Sequence, residues 1–65
     1  MSQVHWNRYI DFIHSRKLRQ ISKNTYTEKH HIIPKYYYGT NDDNNIIILT
    51  GREHFIAHLI LLLGM

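Results

Sequence analysis

Residues 45–58 read NIIILTGREHFIAH, and residues 28–35 read EKHHIIPK. The first stretch decides the fold. Residues 45–49, with three β-branched isoleucines and Leu49 after Asn45, predict a short strand. Thr50, Gly51, Arg52 and Glu53 then form a capping box, in which the Thr50 hydroxyl accepts from the Glu53 N–H and Glu53 reaches back to Thr50. That signal opens a helix over 51–63, with Gly64 as its C′ residue. The second stretch reads as an extended segment over 28–35 stopped by Pro34, which holds Ile33 in extended geometry and cannot donate to a ladder. Residues 36–45 connect the two strands as a loop.

Upstream, Trp6, Tyr9, Ile10, Ile13 and Lys17 fall at i, i+3, i+4, i+7 and i+11, which predicts an amphipathic helix over 2–18, with Arg19 beyond it closing an N-terminal helical region of 2–19. Ser2 offers an N-cap, and Phe12 and Leu18 widen the apolar stripe. Residues 20–27 are polar and form a connection. The order helix, strand, loop, strand, helix defines a small α+β domain over 1–65.

At 65 residues the chain buries about 60% of the surface its unfolded form exposes, so its core is marginal and wants a staple. With no Cys, disulfides and Cys-based zinc fingers are excluded, while six His in so short a chain point to a metal held by imidazoles. The net charge is +3 and the pI about 9.5, a balance that favours polyanionic partners. The positive potential belongs to the first half, where Arg8, Arg16, Lys17, Arg19, Lys23, Lys29 and Lys35 stand against Asp11 and Glu28. No secretory signal is visible, and the apolar run 59–63 is far short of the ~20 residues of a membrane span. A cytoplasmic location is the expectation.

Four histidines form two pairs. His30 and His31 are adjacent on the first strand and face opposite ways, so one can serve a metal and the other a separate target. His54 and His58 are one helical turn apart, on one side and in reach of a single ion. A lone i, i+4 pair matches by chance often; the strand pair is what makes a site. With His30 delivered from the strand, three ligands are available and other positions stay open, as a catalytic metal requires. A zinc-protease reading fails, because Phe55 stands where H-E-x-x-H places its glutamate.

With these residues in register, the stretch 28–62 resembles the HNH endonucleases, the ββα-metal (His-Me finger) nucleases. It is most similar to the phage-type homing endonucleases, and its spacing is also similar to colicin DNase domains. The resemblance covers a little over half the chain. It implies a ββα-metal motif over 28–63, a divalent metal ion and DNA as partner. It assigns metal ligation to His30, His54 and His58. It makes His31 the general base, with Asn45 as the middle residue of the catalytic motif, bracing the loop between the strands. Glu28 matches a supporting carboxylate that sits beside the first His and orients its neighbours. The implied activity is hydrolysis of DNA phosphodiester bonds, with His31 activating water and the metal offsetting charge in the transition state. If the chain is phage-encoded, it would act in the host-cell cytoplasm.

Further expectations attach to single residues. Arg52 and Lys35 flank the site and could hold phosphates of the nucleic acid. Arg16, Lys17, Arg19, Lys23 and Lys29 could form a backbone-contacting patch or a solvated helix end. Tyr36, Tyr37 and Tyr38 are expected to pack over the loop, with stacking on a nucleotide as their other use. Related sequences often carry Gly-Gly after the proline, whereas Gly39-Thr40 stands here, which predicts a different turn because Thr40 lacks glycine's freedom. A backbone carbonyl of a strand residue is expected to set the tautomer of His31. His5 and His14 receive no role.

The last helix is apolar nearly all round, which implies self-association or a further C-terminal segment. All-His ligation suits Zn²⁺, Ni²⁺ or Co²⁺ by ligand type, while Mg²⁺ prefers oxygen; Zn, Mg, Mn and Ni are all open for the working ion. Two other functions fit the same residues: a metal-stabilised DNA-binding module that does not cut, and an inactive truncated homing-endonuclease remnant.

Overall fold

In the computed structural model, which describes residues 3–64, a helix α1 (Gln3–Lys17) precedes an antiparallel pair, β1 (Thr27–His31) and β2 (Ile46–Thr50), and a second helix α2 (Gly51–Leu63) closes the chain. The fold is a small α+β ββα arrangement with α1 packed across α2. The expected cap Ser2 lies outside the described residues. β1 is shorter than the 28–35 expected because its partner runs out. His31 pairs with Ile46, and the residue before Ile46, Asn45, closes a one-turn 3₁₀ helix (Asp43–Asn45). A second single turn (Lys35–Tyr37) follows Pro34.

The register places Lys29 opposite Ile48 and His30 opposite Ile47. Because side chains alternate along a strand, Glu28, His30, Ile47 and Leu49 share one face and Lys29, His31, Ile46 and Ile48 the other. The helices cover the first face. Its core comprises Tyr9 and Ile13 from α1, Ile32, Ile47 and Leu49 from the hairpin, and Ala57 and Leu61 from α2, with Trp6, Ile10, Phe12 and Ile60 packed against it. Each fully buried side chain of this kind contributes about 1.5–3 kcal/mol, so a core of this size leaves the fold dependent on its polar joints as well.

Two expectations about packing are corrected. Leu18 is 93% exposed, because α1 ends at Lys17 and its residue no longer follows the stripe. Gly64 takes right-handed rather than left-handed geometry, and its N–H caps the carbonyls of the last turn. One face of α2 stays outside the core, where Phe55, Leu59, Leu62 and Leu63 are exposed.

Polar joints hold the connections. The Asn45 side chain is buried in the loop, where its Oδ1 accepts from the Ile33 N–H (2.8 Å) and its Nδ2 donates to the carbonyls of Ile33 (3.1 Å) and Thr40 (2.8 Å). Gly39 is required by space rather than by positive φ: a Cβ there would fall 1.7 Å from the Ile33 carbonyl oxygen. The left-handed residue of this turn is Tyr38, at φ 65°.

The capping box forms, with Glu53 N–H to Thr50 Oγ1 at 3.2 Å and Thr50 N–H to Glu53 Oε1 at 2.9 Å. Glu53 does more than cap. Arg16 Nη1 donates to Oε2 at 3.2 Å, Arg19 Nε donates to Oε2 at 2.9 Å, and Arg19 Nη2 donates to Oε1. Two of the cations expected in a nucleic-acid patch are therefore engaged in joining the end of α1 to the start of α2. The partly exposed arginines limit the Coulomb gain, but the buried carboxylate would be costly to strand. Glu53→Gln keeps a capping side chain and removes the charge. We expect it to lower stability by about 2 kcal/mol, the scale of hydrogen bonds to a charged group. Urea unfolding checks this: a midpoint equal to the parent's would show that the arginines contribute nothing.

Candidate metal centre

β1 and α2 bring three imidazoles together at the open end of the core. His30 stands on the inward face of β1 and is 2% exposed; His54 is half-buried and His58 exposed on α2. The ring centroids of His30 lie 5.1 Å from those of both His54 and His58, which are 4.6 Å from each other. One nitrogen of each ring lies within 4.8 Å of the others, so the three could hold a metal ion. Zinc–nitrogen bonds of about 2.0–2.1 Å in tetrahedral geometry need separations of about 3.3 Å, reached by a small closing of the rings. An all-imidazole donor set fits a borderline transition metal.

The electrostatics leave lone pairs available. Burial, followed by repulsion from His58, His54 and His31, pushes His30 from the ordinary 6.5 down to about 4. Burial, then His54, also lowers His58. Glu28 orients the set from the strand's inward face: its Oε1 accepts from His54 Nδ1 at 2.9 Å and its Oε2 from the Tyr26 hydroxyl at 2.8 Å. Those two bonds, His54 first, hold its carboxyl below the usual range. A carboxylate can only accept, so His54 carries its proton on Nδ1 and presents Nε2, which lies 3.0 Å from His58 Nε2. The expected neighbour of Glu28 was the first histidine; the geometry gives it His54.

His31 stands apart on the opposite face of β1 and is half-buried. It lines a shallow depression with Lys29, Asn41, Asp43, Ile46 and Ile48. Its Nε2 contacts Asn41 Oδ1 at 2.8 Å, so a side-chain amide, rather than the backbone carbonyl expected, holds the ring and leaves Nδ1 open. Asn45 meets no imidazole; its side chain is used up inside the loop. Arg52, in the first turn of α2, and Lys35, after Pro34, are both exposed. Tyr36, Tyr37 and Tyr38 are 58%, 42% and 96% exposed, so they do not pack over the loop as expected.

Two contacts of this centre escaped the sequence. Tyr9 read as a core aromatic, yet its hydroxyl reaches His30 Nε2 at 2.7 Å and the Ile32 carbonyl at 2.6 Å. A buried tyrosine needs a hydrogen-bond partner, which was the available signal. Asn41 sits in a run of polar loop residues that nothing local distinguishes.

Two proteins of Enterobacteria phage T4 are similar to the chain. One, named "Probable mobile endonuclease D", is 52% identical over 56 residues, which cover 82% of this chain and 22% of the relative. The other, named "Probable mobile endonuclease E", is 47% identical over 53 residues, which cover 82% of this chain and 37% of the relative. The chain thus spans about a fifth to a third of the length of the curated relatives it matches. No protein-family model matches the chain, and no solved structure matches it significantly. Among the described residues, no helix is long and apolar enough to cross a membrane.

The depressed basicity of His30 has a sign that can be checked in metal-free protein. Below pH 6.5 the unfolded chain takes up a proton that the folded chain refuses until about pH 4. Stability present above pH 6.5 is therefore lost as pH falls through this window, by on the order of 3 kcal/mol at most. His58, also lowered, acts in the same direction in this window, whereas Glu28, held below the ordinary carboxyl range, loses its contribution only at lower pH. Urea midpoints in chelator should fall from pH 7.5 to pH 4.5; a flat profile would mean that His30 is not held neutral by its surroundings.

Proposed function

We propose that this chain is the nuclease module of an HNH-type homing endonuclease, a metal-dependent enzyme that hydrolyses DNA phosphodiester bonds. The observation that carries the reading is the convergence of His30, His54 and His58 from a strand and a helix, with His54 backed by the Glu28 carboxylate. The mobile endonucleases it resembles, and the basic charge of the chain, support DNA as the substrate. His30, His54 and His58 hold the divalent ion, which when bound stabilises charge on the phosphate and the leaving oxygen. Host-cell cytoplasm is the matching location.

His31 is the general base. Its Nε2 is engaged with Asn41, and Nδ1 takes a proton from water. The water oxygen attacks phosphorus, the P–O3′ bond breaks, and the 3′ oxygen takes a proton from solvent. Asn45 contributes by fixing the loop that follows His31, and so positions without touching the reacting atoms. Arg52 and Lys35, both exposed, hold backbone phosphates, which position the duplex without reading its sequence. Among the described residues no element has the form of a major-groove reading helix, so any sequence specificity would need residues beyond these or a second copy.

A nicking assay on supercoiled plasmid tests the reading, run with Mg²⁺, Mn²⁺, Ni²⁺ or Zn²⁺ and with chelator. Cutting should need the ion. His31→Ala should cut at least 100-fold more slowly while binding metal as the parent does, the scale of a lost general base. A parent that binds plasmid and metal without nicking would establish a binding module; a His31→Ala variant as active as the parent would remove the base assignment.

A further inference from the structure

We infer that Tyr9 is a positioning residue of the metal centre, and that its hydroxyl commits His30 to coordinate through Nδ1 while Glu28 commits His54 to Nε2. The inference rests on the reading of the three histidines as metal ligands and adds to it a residue from α1, outside the strand–helix motif.

The argument is one of hydrogen-bond valence. Tyr9 is fully buried, and its oxygen lies 2.6 Å from the Ile32 carbonyl oxygen and 2.7 Å from His30 Nε2. A hydroxyl has one proton and can accept, whereas a carbonyl oxygen only accepts. Two oxygens 2.6 Å apart need a proton between them, so the Tyr9 proton goes to Ile32. The contact with His30 must then run the other way, with Nε2–H donating to the Tyr9 oxygen. In a neutral imidazole the remaining nitrogen, Nδ1, carries the lone pair. At His54 the same logic gives the opposite result, because Glu28 takes Nδ1–H and leaves Nε2 toward His58.

Each of these two rings is thus locked by a different outer partner, a phenol for His30 and a carboxylate for His54. Such partners fix both tautomer and ring orientation of a metal-binding histidine. Removing the Tyr9 hydroxyl frees the His30 ring to turn over, exchanging its two nitrogens, and strands the Ile32 carbonyl. Filling the core explains the aromatic ring of Tyr9; it does not explain an oxygen placed between these two groups, which a phenylalanine would leave unpaired.

The test uses the full chain loaded with ¹¹³Cd²⁺ and labelled with ¹⁵N-histidine. Couplings between ion and nitrogen in NMR spectra report which nitrogen binds. The parent should couple through Nδ1 of His30 and through Nε2 of His54. Tyr9→Phe should bind Zn²⁺ about 10–100-fold more weakly in competition with a chromophoric chelator, the usual effect of losing an outer partner. Ile13→Val, a core change of similar location that leaves the hydroxyl in place, should bind as the parent does. Coupling through Nε2 of His30 in the parent overturns the inference even if the Tyr9→Phe variant does not fold. So does a folded Tyr9→Phe with parental affinity, or an Ile13→Val variant as weak as Tyr9→Phe. In each of those cases the three-histidine reading stands. A parent that binds no ion through these rings removes that reading and this inference together.

Discussion

Three imidazole rings within 4.6–5.1 Å of one another, one of them buried, impose a constraint on the whole domain. Were they all protonated, their charges would repel across a poorly hydrated gap; neutral, they crowd lone pairs and N–H groups into a space with few partners. The structure answers by giving the inner nitrogens fixed partners, Tyr9 for His30 and Glu28 for His54, each from an element that must be in place for the partner to arrive. Positions of α1, β1 and α2 are therefore coupled through the protonation pattern of the cluster as much as through the apolar core. In a chain with so small a core, a cation on those rings would convert a liability into a cross-link between strand and helix.

The division of labour between the strand's two faces follows from the same constraint. His30 and His31 are neighbours in sequence but stand on opposite faces of β1. His30 is drawn into the cluster and His31 is held by Asn41 at a depression open to solvent. The pair thus directs one imidazole into the cluster and the other to the outer face of the hairpin. The Asn45 brace matters here because β1 ends at His31: its three side-chain bonds to residues 33 and 40, together with the Ile32 N–H donating to the Asn45 carbonyl, fix the chain direction just beyond the strand.

Much of this was legible from local pattern. The capping box at Thr50–Glu53 placed the start of α2 at Gly51, the apolar stripe through Tyr9 and Ile13 found α1, and the i, i+4 spacing of His54 and His58 put both rings on one side of α2. The adjacent His30 and His31 implied opposite faces because the period of a strand is two residues. The rest depended on contacts with no local signature. Arg16 and Arg19 read as free cations because their partner, Glu53, is more than thirty residues away and already had a role as a cap. β1 ends at His31 because its pairing partner β2 begins at Ile46, and Asn45 before it belongs to a 3₁₀ turn rather than to the strand. Asn45 has an identical neighbour in Asn44, and burial distinguishes them: Asn45 is 7% exposed and Asn44 is on the surface.

The spread of the cluster along the chain has a further consequence for synthesis. Tyr9 waits for His30, 21 residues on, and Arg16 waits for Glu53, 37 residues on. A polypeptide emerging from the ribosome in order cannot assemble the histidine cluster until His58 has cleared the exit, since the hairpin alone supplies one ring of the three. Both contacts join residues far apart in sequence, so neither can form within a local segment. A nascent fragment ending before α2 would carry the strand histidines without the other two rings, so the cluster cannot form before α2 has been made.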